Sequence, residues 1–269
     1  MLFDSDGIRL EVRCLDRRSV GQVMVYLETS SGWHNIGFAP RRLGTWTTLE
    51  VRKDAMKAEM NELLTSAERS VIRKLSTPQK IQDYLESLPT NFELSGETYR
   101  SPRRVLRDRT AHCFEGALVA AAAIAYHGGA PLIMDFRSLP DQDDHVVTPF
   151  KLNGLWGAIS KTNHSVLRYR DPVYRDVREL AMSYFHEFYE KDRRKSLLEY
   201  SAPFDLSRYP LKRWLVADDE LYWLTEALDK SRHYQTVPKR SRRHLRLVAP
   251  VELRAMTVIE WSRRGRRYA

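Results

Sequence analysis

The chain has 269 residues, of which 42% are hydrophobic and 29% charged, a globular composition that excludes a disordered chain. No run approaches the ~20 apolar residues needed to cross a bilayer, which excludes a helical membrane protein. The net charge of +9 is concentrated: residues 230–269 hold twelve Lys/Arg and two Glu and carry +10, so the rest of the chain stands at −1.

Residues 1–52 read as a β-rich N-terminal module. Ile8 to Leu15 alternates apolar with polar, as a half-buried strand does, and Val23–Leu27 and Trp46–Val51 read similarly. Ser30-Ser31-Gly32 and Arg41 to Gly44 are turn-like. Trp33 and Trp46 are expected in a core rather than on a binding surface. Met1 to Arg13 has no basic segment leading into an apolar one, so no secretory signal and a cytoplasmic location are expected.

The core is expected over residues 53–229. Met56, Met60, Leu63, Leu64 and Ala67 recur at helical spacing and predict one helix from Lys53 to Leu75. Thr77-Pro78 and Ser101-Pro102 each place a capping side chain before proline and start two further helices. The first carries Ile81, Tyr84, Leu85 and Leu88 as its apolar stripe and ends at Pro89. Thr110 is the expected N-cap of a fourth helix, with Cys113 at about its third position. Ala117 to Tyr126 is apolar nearly all round, which predicts a buried helix, and Gly128-Gly129 stops it.

Strands are expected over Pro131–Phe136, His145–Phe150 and Leu155–Ser160, with Ser138 to Asp144 an acidic loop. Asn153-Gly154 between apolar runs is a hairpin signature. Helices are expected over Val173–Tyr189 and Asp218–Leu228, whereas Leu197 to Trp223, broken by Pro203 and Pro210, permits no assignment. Residues 230–269 read as a basic C-terminal extension with strand-like pieces at Leu245–Val248 and Thr257–Trp261.

Two cysteines, Cys14 and Cys113, form no disulfide framework and cannot by themselves close a common structural zinc site. Cys14 carries no expected chemistry. Cys113 does, because a cysteine at the head of a buried helix lies in the positive end of its dipole, which favours thiolate. The plainer alternative is a small buried hydrophobe. A nucleophile also needs a base. Of the nearby histidines, His112 is adjacent to the cysteine and is expected to point elsewhere, His127 to cap the end of the helix, and His145 to come alongside as its strand opens. His164 lies further on.

A helix headed by Cys113, then Gly129-Ala130-Pro131 and a strand, then His145-Val146-Val147 opening a strand, then a turn and a strand with Trp156, resembles the transglutaminase-like superfamily of papain-type cysteine enzymes. The resemblance covers roughly Thr77 to Tyr174. It implies an α+β fold in which the cysteine-bearing helix packs on an antiparallel sheet, with Cys113 as nucleophile and His145 as base. The family's third residue is an acid that orients the imidazole. Here that position holds Ser160, followed by Lys161; Asn163 ranks second, and Asp171 or Asp144 are further alternatives. The implied activity is attack on an amide or thioester carbonyl, giving hydrolysis or acyl transfer, on a protein or peptide substrate. No cofactor or metal is expected.

Two other classes stand beside this one. The Ser160 departure fits a degenerate enzyme fold used as a binding scaffold. The basic extension, with Lys239 to Arg243 and Arg263 to Arg267 near Tyr234, Trp261 and Tyr268, suits nucleic-acid contact. His186-Glu187 lacks the second histidine of a zinc protease, Asp141, Asp143 and Asp144 read as a solvated loop, and Gly128-Gly129 alone makes no nucleotide site. The oligomeric state is left open.

Overall fold

The computed structural model describes residues 55–139 and 144–268 in full, and the backbone of four strands within residues 7–52. Strands β1 (Gly7–Arg13) and β4 (Trp46–Arg52) pair antiparallel, as do β2 (Val23–Thr29) and β3 (Gly32–Phe38). Cys14 and the side chains of Trp33 and Trp46 lie outside the described residues.

The single helix expected over Lys53–Leu75 is two: α1 (Ala55–Leu63) and α2 (Ser66–Lys74). Thr65 divides them. Its hydroxyl accepts the Glu68 N–H at 3.3 Å, and the Glu68 carboxylate accepts the Thr65 N–H at 2.7 Å. This capping box starts a helix inside an uninterrupted apolar period. Helices α3 (Pro78–Ser87) and α4 (Pro102–Asp108) begin as expected, capped by Thr77 and Ser101 with proline in the first turn. Helix α5 (Cys113–Tyr126) is buried along nearly its whole length. It ends where Gly128, at φ 88°, supplies the left-handed residue and Gly129 N–H reaches back to the Ile124 carbonyl at 2.9 Å. His127 does not cap α5 with its ring, which instead reaches the Ile72 carbonyl of α2 at 3.3 Å.

The protein is α+β, built on one antiparallel sheet of seven strands: β5 (Leu132–Arg137), β6 (His145–Leu152), β7 (Leu155–Ser160), β8 (Arg170–Tyr174), β9 (Glu199–Ser201), β10 (Phe204–Asp205) and β11 (His233–Gln235). Their order is β11-β9-β5-β6-β7-β8, with β10 pairing β5 beside β9. Asn153 and Gly154, at φ 52° and 83°, close the β6–β7 hairpin as the two left-handed residues of a tight turn, which is why Asn-Gly stands there.

Both faces of the sheet are covered. Ile133, Val146, Phe150 and Ile159 pack toward α5, and the Thr148 hydroxyl donates to the Ala117 carbonyl at 2.7 Å. Met134, Phe136, Val147 and Ala158 point the other way, onto Leu180, Ala181 and Tyr184 of α6 (Val177–Tyr184). This is why β6 reads as a nearly unbroken apolar run instead of alternating. The helix expected over Val173–Tyr189 is shorter: residues through Tyr174 belong to β8, and Asp176 caps α6 by accepting the Glu179 N–H at 2.8 Å. The stretch left unassigned contains β9, β10 and the short α7 (Leu211–Trp214), and the helix expected from Asp218 starts later, as α8 (Tyr222–Asp229). Among the described residues no helix is long and apolar enough to cross a membrane.

Two expectations for the basic stretch change. Leu245–Val248 forms no strand, and Ile259 and Trp261 make only isolated bridges to His164 and Arg267; between them lies α9 (Pro250–Met256), started by Pro250 in its first turn. Nor is the stretch a free extension throughout. β11 is an outer strand of the sheet, and Val248 and Trp261 are buried.

His233 pins β11. Its Nδ1 faces the Ser231 carbonyl at 2.8 Å and its Nε2 the Asp135 carboxylate at 3.0 Å. Both partners only accept, so both ring nitrogens donate and the ring is an imidazolium. Burial alone would lower its pKa, but the bonds to Asp135 and Ser231 raise it above the usual 6.5. A raised value means that the stabilisation is complete below the unfolded value and is lost as pH rises through the folded one. His233→Gln is expected to cost about 1–2 kcal/mol at pH 6, with the difference shrinking as the pH is raised, in urea denaturation at the two pH values.

Candidate active site

Cys113 is the first residue of α5, two positions earlier than expected, and His112 rather than Thr110 is the N-cap. The approach to the helix is extended: Ala111 bridges Thr90 in parallel, and its N–H and carbonyl bond to Pro89 and Asn91. The Thr110 hydroxyl is drawn instead to the Arg100 guanidinium, at 3.1 Å. The helix thus opens at Cys113, with the unpaired N–H groups of a first turn at the sulfur's own level.

Cys113 is half-buried. Its sulfur lies 3.9 Å from the Asp144 carbonyl, the last residue before β6. Cys113 therefore looks past the end of a strand, and His145, opening that strand, meets it there. His145 and Ser160 share a sheet face because Ser160 pairs with Val147, two residues beyond His145. The His145 Nε2 and Ser160 Oγ are 2.8 Å apart, both residues buried. The Ser160 hydroxyl proton is committed to the Leu167 carbonyl at 2.5 Å, so the hydroxyl accepts from the ring. That holds a proton on Nε2 and leaves Nδ1 as the free nitrogen of the ring.

His112 does not point elsewhere. As an N-cap its backbone is extended, at φ −97° and ψ −173°, so the spacing rules for helical neighbours do not apply to it. Its Nε2 donates to the Thr98 carbonyl at 2.7 Å, with Glu115 Oε1 3.5 Å away. Each of the two imidazoles is thus fixed by an acceptor on its Nε2, and both act on the Cys113 thiol. Burial pushes the thiol up, yet the hydrogen bonds and positive charge of His112 and His145 bring it down to about 5 from the usual 9. His112 is pushed up to about 9, against its burial, by the sulfur and by Glu115. Both shifts favour a Cys113 thiolate beside a protonated His112.

Beneath it lies a buried ion pair. Glu115 is fully buried and accepts from Arg100 Nε and Nη2 at 2.6 and 2.9 Å, from the His112 N–H at 3.1 Å and from the Thr98 hydroxyl at 3.0 Å. Arg100 also reaches Asp108 at 3.1 Å. Burial favours the neutral acid, but Arg100 and His112 hold the Glu115 carboxyl below its usual range.

The other candidates lie elsewhere. The Asn163 carboxamide exchanges bonds of 3.0 and 2.8 Å with the Trp261 backbone, so it holds the basic stretch to the body and does not orient His145. Asp171 is exposed on β8. The Asp144 carboxylate turns to the Ser138 N–H at 2.8 Å. Lys161, which follows Ser160, is buried against Gly116 and donates to the Leu88 carbonyl at 2.5 Å; burial lowers its pKa to about 8. A Cβ on Gly116 would stand 2.5 Å from the Lys161 Cβ, so glycine is what lets the cysteine helix approach β7.

No family model matches this chain, and no curated protein matches it. Its chemistry is read from its own atoms. Among the described residues no three His, Cys, Asp or Glu gather as metal ligands; Asp141 and Asp143 lie outside them. The residues missed in the sequence were His112, Arg100 and Glu115. His112-Cys113-Phe114-Glu115 carried the signal for one of them: an acid three residues past the cap, its carboxylate returning to the cap's N–H.

Proposed function

We propose that the protein is a transglutaminase-like cysteine enzyme that attacks an amide or thioester carbonyl through Cys113. The carrying observation is a cysteine at the mouth of a buried helix, its sulfur 3.9 Å from the carbonyl of the residue before His145, with Ser160 accepting from His145 Nε2 and so holding the tautomer the reaction needs. The thiolate attacks the carbonyl carbon, and the oxygen takes the electron pair. First-turn N–H groups of α5, that of Cys113 among them, stabilise the oxyanion. Collapse expels the amine or thiol, which takes up the proton that the Cys113 thiol had given to the imidazoles beside it. Water or an amine then attacks the acyl-enzyme and gives its proton to the free His145 Nδ1 as the thiolate leaves, giving hydrolysis or transfer. The substrate in this reading is a protein or peptide.

The test is acyl-enzyme formation from p-nitrophenyl acetate. The expected result is a burst of one nitrophenolate per protein and a single acetyl on Cys113 by mass spectrometry. Cys113→Ala should lose the burst and keep its melting curve. A second reading follows from Ser160, which cannot neutralise an imidazolium as an acid would: the fold is then a scaffold. It requires the folded wild type to give no burst.

A further inference from the structure

A cavity of about 250 Å³ opens beside the face of the sheet that carries His145. Its floor is apolar, made by Leu197, Val237 and Leu245, which pack into the cluster under α6. Four cations surround it: Arg194, Lys195, Arg242 and Arg243. Its described lining contains no acid, and Arg194 alone of the four has an ion-pair partner among the described residues, Asp192 at 2.5 Å.

Two linings tie the cavity to the cysteine. Leu139 belongs to the β5–β6 loop, whose last residue, Asp144, touches the sulfur with its carbonyl at 3.9 Å. Phe185 lines the cavity and starts the turn that leads to Phe188, whose ring stands 6.4 Å from the His145 ring. The cavity is thus lined from two of the elements that also bear on the cysteine site.

We infer that the cavity binds an acidic peptide segment of the substrate: one apolar side chain fills the floor, and carboxylates on either side meet the four cations. This rests on the acyl-transfer reading above and names the substrate class for it. Charge complementarity requires an anion, and the aliphatic floor requires an apolar side chain beside it. A nucleic acid is less well served, since it asks for a continuous basic track with aromatic faces for its bases, and Phe185 is the one aromatic in the described lining.

The test uses full-length Cys113→Ala protein, so that nothing is turned over, and fluorescence anisotropy with three labelled peptides: Glu-Glu-Leu-Glu-Glu, Glu-Glu-Ser-Glu-Glu and Lys-Lys-Leu-Lys-Lys. The leucine peptide is expected to bind, and to weaken when salt is raised from low to several hundred millimolar. The serine peptide should bind about tenfold less tightly or worse, since it gives up the buried apolar group. The lysine peptide should not bind. The double variant Arg242→Glu, Arg243→Glu should weaken the leucine peptide about tenfold or more at an unchanged melting temperature. Equal binding of the leucine and serine peptides would overturn the inference, as would indifference to the double variant. So would a single-stranded oligo-dT that binds tighter than the peptide and is lost in that variant. Failure of the acetylation burst would instead strike the cysteine chemistry and leave this binding result standing.

Discussion

Iodoacetamide is expected to alkylate Cys113 with a rate that rises through about pH 5, stays level across neutrality, and rises again through about pH 9. The sign follows from the sulfur: an acid whose pKa falls from the usual 9 to about 5 is a thiolate everywhere above the lower value. The second rise marks the loss of the proton held by His112, at about 9, which frees the thiolate from its ion pair. Both steps belong to the coupled centre rather than to one residue. A cysteine filling a core would show one rise, near 9 or above. His112→Ala should move the first rise upward by removing the largest favourable contact to the sulfur. His145→Ala should leave an alkylatable cysteine while lowering turnover about 10²–10⁴-fold, because it removes the proton carrier. Ser160→Ala should lower kcat and leave KM unchanged, since Nε2 loses the acceptor that fixes the ring. Stopped-flow alkylation and pH–rate profiles on the same proteins separate the three. A single rise near 9 in the wild type would remove the nucleophile from the proposal.

Breaking the ion pair under the site is expected to be the most destabilising change available there. Arg100→Met leaves the Glu115 carboxylate fully buried without its main partner, and Glu115→Leu does the converse to Arg100. Each should cost about 3–5 kcal/mol by urea denaturation, a large share of the ~5–15 kcal/mol typical of a folded domain. The double variant should regain part of the loss, because no uncompensated charge is left behind. The pair also gives the fold a pH limit. Because the Glu115 carboxyl is held below its usual value of 4.5, its contribution is complete above that value and is lost as pH falls through the folded one. Glu115→Gln should in addition raise the first alkylation step, since Glu115 supports both the backbone and the charge of His112.

Much of the fold follows rules that act within a few residues. Thr77-Pro78, Ser101-Pro102, the buried alanine helix with its Gly128 stop, and the Asn153-Gly154 hairpin all form where local pattern puts them. The expectations that failed also failed locally. Thr65 outweighed an unbroken apolar period, and Pro250 started a helix between two strand-like runs. Strands β9, β10 and β11 are two or three residues long, too short for any period to show.

The amino-acid order by itself determined that a cysteine would head a buried helix and that a histidine would open a strand of an antiparallel sheet, because helix caps, glycine stops and tight turns are decided by neighbours in the chain. Tertiary structure alone decided what surrounds the sulfur. Ser160 stands diagonal to His145 through strand register, Arg100 meets Glu115 from another helix's approach, and the cations beside the cavity come from segments some fifty residues apart. His112 shows the boundary most sharply. Its sequence neighbour is the cysteine, yet only the extended approach to α5, bonded to Pro89, Thr90 and Asn91, sets its ring against the Thr98 carbonyl and Glu115.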